Sequence, residues 1–295
     1  MTTTTTAAES GTWALGGDLP VHRMGFGAMR LTGTAPFHQG VPRDREQSIR
    51  VLRRAVELGV DHIDTAAFYF SRTRSANELI NAALSPYADH LVIATKVGPV
   101  RNVRGEFAEP ARPEELRGHV EENLRQLGRD HMDLVYLRLM GQDSLAEHFG
   151  ALAELREAGL VRHLGISNIQ PAHLEEALGI APVAAVQNPY AIDRRDDETL
   201  ALCGEHGIAF VPFFAAAKPG REAQGGGEEH AAVLDVARAH GVSATQVRHA
   251  WVLGRGDHVL AIAGTGDVGH LEENVAAGAL RLTEDEVRRL DAVAG

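Results

Sequence analysis

The 295-residue chain has one cysteine, Cys203, so no intrachain disulfide can form. That fits a reducing, cytoplasmic setting. Cys203, within ALCGEHGIAF, reads as a small buried helix residue rather than a nucleophile. Basic residues are outnumbered, and the net charge of −11 excludes the broad positive field that nucleic-acid binding needs. No run approaches the ~18 apolar residues of a membrane span. The start, MTTTTTAAES, lacks a basic region and an apolar region, so it is no secretory signal. Residues 1–12 are expected to be a disordered polar tail. There are fifteen histidines but no HExxH and no close pairing at ligand spacing, so no metal is expected. His22, His62, His163 and His249 read as packing or capping residues. The GxSxG elbow and the phosphate-binding P-loop are both missing, and GFGAMRLTG does not have GxGxxG spacing.

What is present is a steady alternation. Strand-like runs fall at 22–29, 60–64, 90–96, 132–139, 161–167, 183–188, 208–214 and 258–264. Helical stretches fall at 44–58, 75–84, 113–127, 144–158, 171–179, 195–206, 229–253 and 268–278, with apolar residues three and four apart, as in Leu116, Val120, Leu124 and Leu127. Gly59, Gly128, Gly159 and Gly207 stand where left-handed helix ends are expected. Eight strand–helix repeats with near-continuous apolar strands imply an α/β (β/α)8 barrel, one domain over residues 13–295. An N-terminal β-hairpin precedes it. LTEDEVRRLDAVAG, with Thr283 and Glu286 as a capping box, reads as an extra helix on or near the barrel mouth. GREAQGGGEEH (220–230) is expected to be the most flexible internal loop, at the catalytic end.

Four polar residues stand at or just after successive strand ends: Asp64 and Tyr69 in HIDTAAFYF, Lys96 in LVIATKVG, and Arg138 in MDLVYLRLMG. Each has a bland reading: a turn cap, a core aromatic, a surface lysine, an ion-pair partner. In a barrel, however, such positions converge on one axis. Their chemistry is also complementary. Hydride reduction of a carbonyl leaves an alkoxide that needs a proton. A phenol titrating near ~10 is a poor acid unless its anion is stabilised. A lysine cation does that, an aspartate holds the lysine, and a fourth donor polarises the carbonyl.

Across roughly Val21 to Leu290, the landmarks DTAAFY, IATK, GISN, VQNPY and GTGDVGHLEEN resemble the aldo-keto reductase family in order. The bacterial pyridoxal reductase-like branch is similar in particular, with its NLR in place of the usual strand-four LH and a stretch like VPFF at 211–214. The resemblance implies an NAD(P)H-dependent carbonyl reductase. Tyr69 is then the general acid, Lys96 its tuner and Asp64 the anchor of Lys96. Arg138 replaces the carbonyl-orienting His electrostatically, but it cannot relay protons as a neutral imidazole does.

The same resemblance implies a cofactor lying across the barrel top. Ser167, Asn168 and Gln187 match positions that grip the nicotinamide carboxamide; the bland alternative is a helix cap before Pro171. Phe213, with Phe214 beside it, matches the aromatic that stacks on the nicotinamide. Lys218 either meets the pyrophosphate or is solvated. Gly264, Thr265 and Gly266 open a helix N-terminus toward the adenosine phosphate, and Glu273 and Asn274 match adenine contacts. His270 stands where an arginine often binds the 2′-phosphate. NADPH is the expected cofactor, with NADH possible.

The substrate is expected to be a small carbonyl compound. Phe70 stands where Gly is common, and Trp13, Met29, Phe37, Phe68 and the 98–110 loop are candidates to line the mouth. Two rivals remain: a biosynthetic reductase of a ketone, keto-sugar or imine, and a nicotinamide-binding redox sensor with little turnover. A self-sufficient barrel implies a monomer or weak homo-oligomer.

Overall fold

The computed structural model describes residues 5–33, 41–102, 106–216 and 229–293. Two antiparallel strands open the fold: β1 (Thr12–Leu15) and β2 (Leu19–His22). Eight parallel strands follow: β3 (Met24–Gly27), β4 (His62–Asp64), β5 (Val92–Val97), β6 (Met132–Arg138), β7 (Val161–Ser167), β8 (Val183–Gln187), β9 (Ala209–Phe210) and β10 (Ala261–Ile262). From β3 to β9 each pairs with the next in sequence, and β10 returns to pair with β3. A parallel bridge between Phe210 and Val259 joins the two remaining edges and closes the barrel. The expected (β/α)8 fold and N-terminal hairpin are both present.

The helices are α1 (Arg45–Glu57), α2 (Ala76–Leu84), α3 (Leu116–Leu127), α4 (Ala146–Glu157), α5 (Pro171–Leu178), α6 (Asp197–Glu205), α7 (Ala231–His240), α8 (Ala244–Leu253), α9 (Val268–Ala276) and α10 (Glu284–Asp291). Local chemistry sets their limits. Asp44 accepts the Gln47 N–H at 2.8 Å and starts α1. Gly128 ends α3 with φ 67°, a conformation that costs little without a Cβ.

Side chains form two apolar shells. Phe26, Ile63, Ile93 and Val135 face the helices. Val92, Ala94, Leu134, Tyr136, Ala185, Ala209 and Leu260 fill the lumen, and Leu15, Leu19 and Val21 of the hairpin close its N-terminal end.

Four expectations need correction. Residues 7–10 are not a disordered tail but a 3₁₀ turn with Ala7 and Ser10 buried. The Ala7 N–H donates to Leu58 O at 2.8 Å, and Ser10 Oγ accepts the Met24 N–H at 2.9 Å. These bonds offset the ordering cost that the polar composition suggested would win. The stretch 229–253 is two helices, because Gly241 takes φ 65° and turns the chain. β9 and β10 are shorter than 208–214 and 258–264. The chain beyond Phe210 leaves the ladder, and Phe213 makes only an isolated bridge to Pro189. Finally, α10 lies on the flank and not over the mouth: Glu286 meets His240 of α7, and Asp291 accepts from Trp251 Nε1 of α8. Its capping box between Thr283 and Glu286 is present.

Candidate active site

Register brings the polar residues together. In a parallel sheet, paired residues share a face, and the pattern repeats every second residue. Arg138 pairs with Ser167, and Ser167 with Gln187, making one inward rung. Lys96 pairs with Tyr136 one inward step below. Asp64 ends β4, and Tyr69 follows in the β4–α2 connection, so all lie toward the C-terminal end of the barrel.

Asp64 and Lys96 are each only 2% exposed. Lys96 Nζ donates to Asp64 Oδ1 at 2.5 Å and to Thr65 O at 3.0 Å. The other Asp64 oxygen accepts Gln187 Nε2 at 2.8 Å. The carboxylate therefore caps nothing in its own turn. Lys96 Nζ lies 4.8 Å from the Tyr69 ring centroid and hydrogen-bonds the phenol. Arg138 is half-buried beside them, with Nη1 3.5 Å from Ser167 Oγ and Cζ 5.2 Å from the centroid of Phe213.

The electrostatics differ from the simplest expectation. Burial, helped by the Asp64 charge, pushes the Tyr69 phenol above its ordinary value; the Lys96 and Arg138 cations pull it down but do not win. Burial also works against the Lys96 cation, yet Asp64 and Tyr69 together hold it above its ordinary value. Arg138 is lowered by burial, against the opposing pull of Tyr69 and Asp64.

Sequence reading missed the supports. Thr65 Oγ1 donates to Asn77 Oδ1 at 2.8 Å, Asn77 Nδ2 to Asn123 Oδ1 at 2.9 Å, and Thr95 Oγ1 to Asn123 Oδ1 at 2.6 Å. This buried chain ties the ends of β4 and β5 to α2 and α3. Its only signal is an asparagine on each helix's apolar side. Arg101 Nη1 donates to Phe68 O at 2.6 Å and Phe70 O at 3.2 Å, and its Cζ lies 4.0 Å from the Phe70 centroid. Burial lowers its pKa to about 10. It clamps the loop that carries Tyr69.

Of the candidate mouth residues, Phe68 meets Tyr69 edge-on at 5.2 Å and Phe107 at 6.0 Å. Met29 is half-buried in the 3₁₀ turn after β3. Trp13 is misplaced by the sequence reading: it sits on the hairpin at the opposite end, its ring 6.3 Å from His258. Hairpin closure of the barrel floor is a tertiary event that leaves no mark on local sequence. Phe37 falls outside the described residues, as do Lys218 and most of the 220–230 loop.

Among the candidate cofactor positions, Ser167 is buried beside Arg138. Asn168 has φ 61° and donates its side-chain amide to Leu139 O at 3.0 Å. Gln187 has its amide nitrogen engaged with Asp64. Phe213 faces Arg138 and meets Phe214 edge-on at 5.1 Å. Across the barrel mouth, Gly264 is pressed against β3: a Cβ there would fall 2.6 Å from Gly27 O. Thr265 Oγ1 accepts the Asp267 N–H, and Asp267 accepts the His270 N–H to start α9. His270 and Glu273 are exposed, whereas Asn274 is buried. Sequence reading also missed Arg43. It lies across Gly266, where a Cβ would collide with Nε, and that nitrogen donates to Arg30 O at 2.8 Å. A cleft of about 490 Å³ opens at the ends of β6 to β8, lined by Leu139, Asn168, Pro189 and Arg194.

Comparison with known proteins agrees with this fold. The model of the aldo/keto reductase family matches residues 23–294. A curated relative, pyridoxine 4-dehydrogenase of Escherichia coli strain K12, is 41% identical over 295 residues, covering 97% of this chain and 99% of its own. The thermostable aldo-keto reductase Tm1743, solved with the inhibitor epalrestat, superposes with TM-score 0.80 at 28% identity, covering 96% of this chain and 99% of its own. An aldo-keto reductase from Klebsiella pneumoniae, solved with NADPH, gives 0.78 at 26%, covering 96% and 94%. With a family match over residues 23–294, nearly its whole length, this chain belongs to the aldo/keto reductase family of oxidoreductases.

Proposed function

We propose that the chain interconverts an aldehyde of the pyridoxal type and its alcohol with NADP(H), using Tyr69 as the proton donor. One observation carries this reading: a phenol held against a buried lysine that a buried aspartate fixes at 2.5 Å, at the mouth of a parallel barrel. The full-length relative that acts on pyridoxine supports the substrate class.

The donor set suits a nicotinamide dinucleotide. Arg43 offers its two terminal nitrogens at the β10–α9 turn, where α9 also points its N-terminus. On the other side Asn168 lines the cleft at β6 to β8, and Gln187 ends β8 next to it. When bound, the reduced nicotinamide supplies the hydride.

The remaining steps belong to the chain's own residues. Arg138 donates to the substrate carbonyl oxygen and stabilises charge developing there. Tyr69 gives its proton to that oxygen, and Lys96 stabilises the phenolate left behind. Asp64 keeps Lys96 in place. Because burial keeps the free phenol protonated at neutral pH, reduction is favoured there; oxidation, which needs the phenolate, is favoured at alkaline pH.

The test is cofactor consumption at 340 nm with NADPH and NADH in parallel, against pyridoxal and a panel of aldehydes and ketones. Tyr69→Phe should lose about a hundredfold or more in kcat while still binding cofactor. Retained turnover in Tyr69→Phe removes the assignment. Cofactor binding without turnover on any substrate favours the sensor reading.

A further inference from the structure

Beside and below the Asp64–Lys96 pair, the barrel lumen holds two polar groups that the proposed chemistry does not use. His62 is two residues before Asp64 on β4, so it points into the same lumen; it is fully buried. Neither of its ring nitrogens has a hydrogen-bond partner among the described residues. Tyr136 pairs with Lys96 across β5 and β6, is fully buried, and its hydroxyl also has no such partner.

Room for both rings is made by glycine. A Cβ on Gly165 would fall 2.6 Å from the Tyr136 ring, and one on Gly25 would fall 2.9 Å from His62 Nδ1. His62 stands one inward step from Asp64 on β4, and Tyr136 stands beside Lys96, the lysine that Asp64 holds. The Asp64 carboxylate accepts from Lys96 and Gln187, and two oxygens have lone pairs for more.

An orphaned phenol or imidazole in an apolar lumen is costly, and buried water is what commonly satisfies such groups, with about three hydrogen bonds each. We infer that His62, Tyr136 and Asp64 enclose an internal hydration site, and that its water extends the hydrogen-bonded chain of Tyr69, Lys96 and Asp64 one layer down into the barrel. His62 and Tyr136 are then positioning residues. Their water donates to Asp64 and screens its charge from the reacting end. The charged groups whose fields act on Tyr69 are Lys96 from β5, Asp64 from β4 and Arg138 from β6; those acting on His62 are Asp64, Lys96 and Asp61, whose carboxylate is engaged with His22.

The test is Tyr136→Phe, which keeps ring and volume. A crystal structure of the wild-type protein should show ordered water within hydrogen-bond distance of Tyr136 Oη, His62 and Asp64. This readout stands whether or not the proposed reaction is correct. With less screening of Asp64, its negative potential at Tyr69 grows and favours the protonated phenol. The pH profile of alcohol oxidation, which rests on the proposed function, should therefore move up by about half a unit in Tyr136→Phe, a threefold change in proton affinity. His62→Phe should move it in the same direction. Stability gives an independent outcome: removing a dry orphan raises the urea midpoint, whereas removing a water-tied hydroxyl leaves it unchanged or lowers it. A dry lumen in the crystal, a raised midpoint, or an unshifted pH profile in an active enzyme each overturns the inference.

Discussion

Replacing Lys96 by methionine asks how much the buried pair contributes and what it costs to break. The side chains of Lys96 and Asp64 are 2% and 3% exposed, and the bond between them is 2.5 Å. Taking away the cation strands a carboxylate in the lumen, a change that costs ~3–5 kcal/mol in comparable buried pairs. Gln187 still donates to Asp64, so the lower end, about 3 kcal/mol, is expected. An ion pair on the surface is worth far less: Arg117–Glu121, with both partners 55% exposed, falls in the class worth ~0.3–0.5 kcal/mol. The assay is urea unfolding of wild type, Lys96→Met, Asp64→Asn and the double variant. The double variant should recover much of the loss, since it carries no stranded charge. The pH dependence has a defined sign. The folded state holds Lys96 above the ordinary 10.5, so its stabilising contribution is complete below that pH and is lost as pH rises through the folded value. The gap between wild type and Lys96→Met should be constant at neutral pH and shrink in strong alkali. A loss below about 1 kcal/mol, or a gap that widens above pH 10.5, would refute the reasoning.

Two further predictions concern the reacting end. Arg138→His should lower kcat/KM about tenfold or more and add a limb to the pH profile near ~6.5, where an imidazole titrates; an unchanged profile with full turnover would show that no permanent cation is needed beside Tyr69. Arg43→Ala should weaken NADPH binding about tenfold, as loss of a charge-assisted hydrogen bond implies, while leaving NADH within about twofold. Fluorescence titration with both nucleotides measures this, and equal losses for the two would remove Arg43 from any role at the 2′-phosphate.

Much of this molecule is legible in short stretches of chain. Near-continuous apolar runs mark the eight strands, and caps such as Asp44, Gly128 and Thr283 mark helix ends, because these preferences act between residues close in sequence. The barrel in turn explains why Asp64, Lys96 and Arg138, each at or next to the end of a strand, face one mouth. Other features depend on which strands pair and in what register. Gln187 reaches Asp64 across 123 positions, and Arg43 lies over Gly266 across the closed end of the sheet. Neither contact has a local signature. The same holds for Trp13, which the hairpin carries to the floor, and for the turn at 7–10, ordered only because Leu58 and Met24 offer it backbone partners.

The charge state of the site is also tertiary. From sequence, a lysine beside Tyr69 implies a lowered phenol; in the folded chain burial outweighs that cation, and the phenol rises. Residue types determined by the sequence name the groups available for chemistry. Burial, register and barrel closure decide which of them touch and how strongly each is desolvated, since both depend on distant parts of the chain meeting in space.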